Sequence, residues 1–305
     1  MEKQLQHFAE VSCQPTPNDK NNERNHALDE TRMEKQMHFA VVGDEPRAVP
    51  AKGLKGACPS CGGAMIAKCG EQKIHHWAHQ GLRSCDAWWE PETIWHRSWK
   101  DMFPKEWQEH IARDEGGEKH IADVRTEHGV VVEFQHSHLA PDERRAREAF
   151  YKSLVWVVNG TRLKRDFPRF EEASKTFAKT EFRSVRIVQF PEECFRKAWL
   201  DSPVPVLFDF RESSDDAVLP ADKTRELLWC LLPGRVHGRA AVAMLTRSYF
   251  VTAMRTRSRL LDHLEILRRC EEQVRLQREQ ELAEWGAWFI GSVRAKRGTG
   301  RHRRF

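Results

Sequence analysis

The sequence predicts an α/β fold in which a helix crosses over a central sheet. Two short strand candidates, residues 119–124 and 130–135, are joined by a turn that contains Gly129. A helix-forming segment follows at 141–152, and the apolar run at 154–158 has the length and composition of a buried strand. This strand–helix–strand order favours two parallel strands that a helix connects. The core is therefore predicted to be an α/β sheet.

Further strand candidates lie at 38–42, 185–190 and 204–210. Beyond residue 221 the composition is helical up to about residue 290, apart from a break at Pro233–Gly234. The chain is thus predicted to have five regions: a flexible or helical lead at 1–36, a β and zinc-binding module at 37–86, an α/β domain at 87–215, a helical region at 216–290 and a basic tail at 291–305.

Composition places this chain among ordinary soluble proteins. Its 305 residues, 40% of them apolar, suffice for one large core or two small ones, and the net charge is a modest +5. No run of 18 apolar residues predicts a membrane span, and the polar N-terminal segment lacks the apolar core of a secretory signal. The eight scattered cysteines favour reduced thiols and a metal site. We therefore expect a cytoplasmic protein without a membrane partner.

Cysteine and histidine pairs predict a small zinc site. Cys58 and Cys61 supply two sulfurs on a tight turn, and His76 with His79 supplies two imidazoles. Zinc favours four such ligands in a tetrahedral arrangement, and four protein ligands leave no open position, which indicates a structural site. A reduced dithiol turn beside surface histidines is the alternative. Other residues that could replace one of these ligands are His75, Cys85 and Cys69.

Acidic residues in the predicted hairpin resemble a nuclease centre. Glu133 and Gln135 share one face of their strand, and Asp123 lies ten residues before Glu133 on the preceding strand. A carboxylate in so apolar a strand costs several kcal/mol unless charge or metal compensates it. An Asp followed across a hairpin by Glu-x-Lys or Glu-x-Gln is the shape of the PD-(D/E)XK active site. Asp123 and Glu133 are thus predicted to bind Mg²⁺ or Mn²⁺, with Gln135 holding the attacking water.

A Trp-rich helix is predicted at 88–107, ahead of the hairpin. Glu92, His96 and Lys100 follow at i, i+4 and i+8, so they share one helical face. Because Gln135 is neutral where the generic motif has a lysine, Lys100 or His96 could supply the missing cation. The alternative is a solvated face with ion pairs. The tryptophans of this segment are expected in the core rather than as stacking platforms for bases.

Basic residues predict contacts with nucleic-acid phosphates. Arg144, in the helix predicted at 141–152, could bind a phosphate bidentately, although ordinary packing is the alternative. No acidic residue follows Glu284, so the tail is either a phosphate-binding segment or simply solvated. The long charged helix before it could pack on the core, bind a partner protein or self-associate. The basic residues of the tail are Arg294, Lys296, Arg297, Arg301, Arg303 and Arg304.

Several of these motifs together resemble the competence protein CoiA-like family over about residues 37–210. The resemblance is carried by Cys58-Pro-Ser-Cys61, His76-Trp-Ala-His79, the Glu92/His96/Lys100 set, Glu133-Phe-Gln-His-Ser137, Arg144, Tyr151 and Trp156. It implies a restriction-endonuclease-like core with a small zinc-binding N-terminal module and a helical C-terminal extension. It also implies that zinc is held by Cys58, Cys61, His76 and His79.

The function expected from this resemblance is a Mg²⁺-dependent nuclease or nuclease-like protein that processes DNA. The biological setting would be DNA uptake and recombination, or defence against foreign DNA, and the sequence does not separate RNA from DNA as substrate. Two alternatives stay open. One is a catalytically inactive DNA-binding module, and the other is a scaffold subunit that acts through its C-terminal helices.

Overall fold

The structure is a computed structural model that describes residues 36–71, 73–81, 85–86, 88, 92–211 and 223–298. The predicted lead at 1–36 lies outside these ranges except for its last residue. Within the described chain, residues up to 69 together with 75–85 form one compact unit, and residues 70–74 with those from 86 onward form a second. Each unit is built around its own sheet, so the mixed α/β prediction is confirmed.

The first unit contains an antiparallel sheet, which has six strands among the described residues in the order β1-β6-β5-β4-β2-β3. Met37, Met65 and Trp77 are buried, and the Trp77 indole donates to the carbonyl of Ala48 at 2.8 Å. Gly56 allows two strands to approach closely, because a Cβ there would lie 2.7 Å from a backbone oxygen. The strands are β1 Gln36–Met37, β2 Ala40–Val42, β3 Glu45–Ala48, β4 Lys55–Ala57, β5 Ala64–Lys68 and β6 His76–His79.

The second unit contains a mixed sheet with nine strands in the described chain, in the order β11-β12-β15-β14-β13-β10-β9-β8-β7. Strand β10 is parallel to both of its neighbours, β9 and β13, and the other described pairs are antiparallel. The strands are β7 Gln108–Arg113, β8 Lys119–Arg125, β9 Val131–Gln135, β10 Leu154–Asn159, β11 Ala178–Lys179, β12 Val185–Val188, β13 Val206–Asp209, β14 Leu227–Leu231 and β15 Ala240–Thr246.

The helices of the second unit cover this sheet, and α2 makes the predicted crossover between β9 and β10. No helix in the described ranges has both the length and the apolar character needed to cross a bilayer. The helices are α1 Ile94–Lys100, α2 Pro141–Phe150, α3 Asp166–Ser174, α4 Pro191–Cys194, α5 Lys223–Glu226, α6 Arg247–Thr256 and α7 His263–Gly298.

Strand β10 shows how the sheet separates two cores. Val155 and Val157 belong to the cluster that contains Trp99 of α1. Leu154 and Trp156 belong to the cluster on the opposite face. Because neighbouring side chains of a strand point to opposite faces, a strand covered on both sides must be apolar throughout. Charged residues in the neighbouring strands are therefore unexpected.

The prediction of a helical region at 216–290 was wrong for the strands β14 and β15. These two strands lie between β13 and β12 and are central to the sheet. Their residues are buried on both faces, so they lack the alternation that marks a half-buried strand. They are also rich in Leu and Ala, which favour helices in isolation. Burial within the sheet overrides that preference.

Two further boundaries differ from the prediction. The helix expected at 88–107 is limited to α1, Ile94–Lys100, where Thr93 caps the first turn by accepting from the backbone N–H of His96 at 3.3 Å. At the other end, α7 continues to Gly298, so the first part of the predicted tail is helical. Residues 299–305 lie outside the described chain.

Candidate metal centre and acidic site

Four side chains of the first unit converge on one point. The ligand atoms of Cys58, Cys61, His79 and Cys85 all lie within 4.8 Å of one another. The two sulfurs of Cys58 and Cys85 are 3.7 Å apart, and Cys61 Sγ is 3.4 Å from His79 Nε2. Tetrahedral zinc with Zn–S bonds of about 2.3 Å separates two sulfurs by roughly 3.8 Å. The cluster therefore fits a structural zinc ion.

The backbone after β4 shapes the first half of this cluster. The N–H of Cys58 donates to the carbonyl of Gly63, and the N–H of Gly62 donates to the carbonyl of Cys58, both at 2.8 Å. Gly62 has a φ of +71°, in the left-handed region that favours glycine. The N–H of Gly63 lies 3.4 Å from Cys61 Sγ, an interaction typical of a thiolate ligand. The Cys-Pro-x-Cys-Gly-Gly segment thus folds as a metal-binding turn.

The predicted ligand His76 is not part of the cluster, and Cys85 takes its place. His76 and His79 both lie on strand β6, and residues three apart in a strand point to opposite faces. Only His79 can therefore face the cysteines. Cys85 was one of the alternatives that the sequence left open, whereas Cys69 and His75 are outside the group. Without metal, the hydrogen bond with Cys85 and burial raise the pKa of the Cys58 thiol, so zinc must displace a proton.

In the second unit, three carboxylates form a row across three strands. The register between β7 and β8 places Glu109 level with Asp123, and the register between β8 and β9 places Asp123 level with Glu133. Glu109 has a φ of +48°, a strained value for a non-glycine residue. The row of Glu109, Asp123 and Glu133 is called the acidic row below.

Strands β8 and β9 separate at this row. Their pairing is limited to Val124 with Val132 and Arg125 with Val131. Beyond it, the N–H of Phe134 donates to Asp123 Oδ2 at 2.9 Å instead of to a backbone carbonyl. The point where β8 and β9 separate is called the fork below. It places the two predicted metal ligands, Asp123 and Glu133, next to each other. The hairpin thus brings together the residues that the sequence singled out.

Lys100, at the end of α1, lies among the carboxylates. Its Nζ is 3.0 Å from Glu92 Oε1, 3.2 Å from Glu109 Oε1 and 3.8 Å from Asp123 Oδ1. Burial opposes the charged form of this lysine, but the surrounding carboxylates outweigh it and raise the pKa of Lys100. The side chain therefore remains an ammonium ion. Glu92 was predicted to share a helical face with Lys100, but the helix begins after Glu92. The Glu92 side chain nevertheless contacts Lys100.

Glu133 has an unusual environment for a carboxylate. Its side chain is buried, and Oε2 is 3.2 Å from Arg147 Nη1 of α2. Oε1 is buried and has no hydrogen-bond partner among the residues that the structure describes, although the backbone of Asp123 is close enough to the carboxyl group to lower its pKa. Burial and the neighbouring Asp123 raise the pKa of Glu133, against the opposing effect of Arg147. A buried oxygen without a partner is destabilising, and a cation beside it would remove that cost.

The acidic row offers oxygen ligands, which are those that Mg²⁺ and Mn²⁺ prefer. Among the described residues, only the cysteine and histidine cluster brings three or more ligand side chains within 4.8 Å of one another. A metal at the fork would therefore take two protein carboxylates, from Asp123 and Glu133. Water and phosphate oxygens would complete its coordination, as is usual for Mg²⁺.

His96 and Gln135 lie at the fork but make internal contacts. His96 Nε2 contacts the backbone carbonyl of Phe134, and Nδ1 is 3.2 Å from Thr93 Oγ1. The predicted position of His96 beside a scissile phosphate therefore conflicts with its buried, bonded imidazole. The amide Nε2 of Gln135 lies 3.3 Å from Ser137 Oγ, at the end of β9. Of the two predicted cations, the structure brings Lys100 and not His96 to the carboxylates.

Arg144 does not have the exposure that a DNA-binding role requires. Its guanidinium is buried and pairs with Glu148 at 3.0 Å and with Asp201 at 2.7 Å. We therefore replace the predicted phosphate contact of Arg144 with a packing role. The other predicted DNA-binding residues lie outside the side chains that the structure describes: Arg294, Lys296, Arg297, Arg301, Arg303 and Arg304.

Sequence reasoning missed three residues around the fork. Glu109 reaches Lys100 through strand register, and Arg147 reaches Glu133 from α2. Asp86 accepts from the N–H of Ile121 at 2.8 Å and lies 2.9 Å from His120 Nδ1, which fixes β8 just before Asp123. Each contact joins residues far apart in the chain or across a sheet. No local spacing could have indicated them.

Comparisons with known proteins find similarity in the region that contains the first of these sites. The family model described as competence protein CoiA, N-terminal domain, matches residues 54–87, which include all four residues of the cysteine and histidine cluster. Competence protein CoiA of Bacillus subtilis (strain 168) is 31% identical to this chain over 130 residues, which cover 38% of the chain and 35% of that relative. The chain is therefore similar to competence protein CoiA over about a third of the length of each protein. No solved structure matches the chain significantly.

The charge of Glu133 gives a prediction for stability. The pKa of Glu133 is raised above the unfolded value of about 4.3, so the metal-free fold loses stability as pH rises from there towards the raised pKa. Glu133→Gln removes this loss. At pH 8 without metal we expect the variant to melt a few degrees above wild type, roughly 2–4 °C per kcal/mol gained.

Scanning calorimetry at several pH values, with and without Mg²⁺, measures this effect. Below about pH 4 both proteins carry a neutral side chain, and the difference should vanish. Mg²⁺ should raise the melting temperature of wild type and leave Glu133→Gln unchanged. Equal responses of the two proteins to Mg²⁺ would show that Glu133 does not bind the metal.

Proposed function

We propose that this chain is a metal-dependent nuclease of the PD-(D/E)XK type that acts on DNA. The observation that carries the proposal is the buried, unpartnered Oε1 of Glu133 beside Asp123 at the fork of β8 and β9. Arg147 pairs with Oε2 only, so this buried carboxylate still costs stability unless a second cation joins it at Oε1. Such a loss of folding stability is typical of residues that serve binding or catalysis.

The arrangement at the fork suits phosphodiester hydrolysis. A divalent ion bound by Asp123 and Glu133 would supply charge compensation at the phosphate and a more acidic bound water. Asp123 is the more exposed of the two carboxylates, so it faces the side from which substrate can enter. The N–H of Phe134 fixes one oxygen of Asp123, which leaves the other directed towards Lys100. Arg147 holds Glu133 from the opposite side.

Lys100 takes the role that the generic motif gives to a lysine on the second strand. It comes from α1, and ion pairs with Glu92 and Glu109 hold its ammonium 3.8 Å from Asp123 Oδ1. A cation so placed can stabilise charge on a phosphate oxygen. Gln135 would orient the attacking water through its amide. Glu92 and Glu109 keep Lys100 charged and in place.

The comparisons support a biological role in competence. Similarity to a competence protein favours a function in DNA uptake and the recombination that follows it. The chain spans about a third of the length of this relative, so defence against foreign DNA is retained as the second setting. The zinc-binding cluster lies in the region that the family model matches, and its closed ligand set supports a structural role there.

The direct test is cleavage by the full chain. Linear, circular and single-stranded DNA, together with an RNA of the same sequence, should be incubated with Mg²⁺ or Mn²⁺ and with a chelator. We expect metal-dependent cleavage of at least one DNA form. Cleavage of circular DNA would identify an endonuclease. If every substrate stays intact but DNA still binds, the protein is the inactive DNA-binding module.

Gln135→Lys tests how the site replaces the generic lysine. The substitution adds a second ammonium at the fork and restores the Glu-x-Lys motif, so activity should persist or rise. In this background, Lys100→Met should be tolerated better than in wild type, because the two lysines can share the role. Cleavage rates of the four proteins form a double-mutant cycle. Additive losses would mean that Lys100 and residue 135 act independently.

A further inference from the structure

The last helix, α7, extends beyond the part of it that is packed on the core. Its 36 residues correspond to about 54 Å. Cys270 is buried, and Leu267 and Val274 pack against the core cluster, while Arg269 pairs with Glu181 at 2.5 Å. From residue 275 to 288 every residue is exposed. The last 20 residues of this helix, 279–298, are called the free arm below.

The free arm carries large apolar side chains in water. Leu282 and Trp285 are each 69% exposed, and Trp288 is 67% exposed. The spacing of three residues places neighbouring members on one side of the helix, and the rings of Trp285 and Trp288 are 6.2 Å apart. An apolar face of this kind on a soluble protein marks a binding surface. It also lacks the packing that usually stabilises a helix.

Charge identifies the partner. Residues 279–288 contain three glutamates and no lysine or arginine, whereas residues 289–298 contain three basic residues and no acidic one. Residues 279–298 are thus acidic in one half and basic in the other, with three charges each, and Arg275 and Arg278 lie in the helical turn before them. Two copies that run antiparallel, with the two-fold axis between 288 and 289, bring each acidic half beside a basic half.

We propose that the free arm pairs antiparallel with the free arm of a second copy of this chain. In this register Glu281 is level with Lys296 of the other copy, and Trp285 is level with its Ser292, a large residue opposite a small one. Nucleic acid or an anionic lipid surface would suit the basic half but would be repelled by the three glutamates. Self-pairing satisfies both halves.

The proposal predicts a dimer in solution, and it does not depend on the proposed nuclease activity. Sedimentation equilibrium of the full chain should give twice the mass of the 35.6 kDa chain and a concentration-dependent dissociation. High salt should favour the monomer, because it screens the paired charges. A wild type that stays monomeric up to about 100 μM would overturn the proposal, because this concentration is far above the dissociation constants of most specific complexes.

Trp285→Glu should weaken the dimer by about 100-fold, since two buried anchors are lost for each dimer. The matched control is Leu264→Glu, which changes an equally exposed apolar residue, 69% accessible, in the first turn of the same helix. The control should dimerise like wild type. If both variants weaken association equally, or neither does, the free arm is not the interface.

A charge exchange tests the antiparallel register without changing apolar surface. Glu281→Lys alone and Lys296→Glu alone should each weaken the dimer by roughly 10-fold, because each creates two like-charge pairs. The double variant should regain the wild-type affinity. Failure of the double variant to recover would overturn antiparallel pairing. If the double variant instead recovers binding to DNA or to lipid vesicles, and not dimerisation, the partner of the free arm carries phosphate groups.

Discussion

Asp123→Ala and Glu133→Ala should each lower the rate of DNA cleavage by about 10²-fold or more. Each removes a carboxylate that would hold the metal, and water cannot replace this electrostatic stabilisation in the transition state. DNA binding without metal should stay intact or become slightly tighter, since a negative charge near phosphate is lost. Single-turnover cleavage and a binding assay in chelator separate these two effects.

The matched control for these variants is Asp142→Asn. Asp142 lies on α2 in the same unit, but its side chain is 94% exposed and pairs with Arg145 on the same helix. It should cleave at the wild-type rate. Glu133→Gln adds a check on folding, because it keeps the shape of the side chain and should still be inactive. Cleavage at the wild-type rate by both carboxylate variants would place the active centre elsewhere.

Loss of zinc is the second large effect that we expect. Purified wild type should carry about one zinc per chain, and Cys58→Ser or Cys85→Ser should carry almost none. Metal binding is coupled to folding, so these variants should unfold the six-stranded unit and lose several kcal/mol of stability, out of roughly 10–16 kcal/mol of binding free energy in structural zinc sites. Elemental analysis and thermal melts measure both quantities.

Two substitutions separate the ligands from their neighbours. Cys69→Ser removes a cysteine of the same unit that lies outside the cluster, and it should retain zinc and stability. His76→Ala should retain zinc, whereas His79→Ala should lose it, because only His79 shares the cluster. The reverse pattern for the two histidines would show that His76, and not His79, faces the cysteines.

Local patterns predicted the parts of the molecule in which neighbours in sequence are neighbours in space. The hairpin of β8 and β9, the crossover helix α2 and strand β10 follow within about 40 residues, and their order was visible in the alternation of apolar and polar segments. The Cys58–Cys61 turn was visible for the same reason, since its backbone bonds close within six residues. Asp123 and Glu133 come together because a hairpin sets their register.

Long-range geometry explains the misses. The exchange of His76 for Cys85 follows from the strand conformation of β6, which the spacing of two histidines does not reveal. Glu109 and Arg147 enter the site from β7 and α2, and their contacts depend on how these elements pack. The sequence predicts helices at strands β14 and β15, because fully buried apolar runs have no period that identifies a strand.

The position of β14 and β15 also limits where this chain can be truncated and when it can fold. Strand β12 pairs with β15 and strand β13 pairs with β14, so the earlier strands β12 and β13 never touch each other as sheet neighbours. A chain shortened to about residue 210 would leave β13 as an open edge and separate β11 and β12 from the rest of the sheet. During synthesis, the sheet can close only after residue 246 has left the ribosome. The acidic row, although encoded in the first half of the chain, then belongs to a fold that the second half completes.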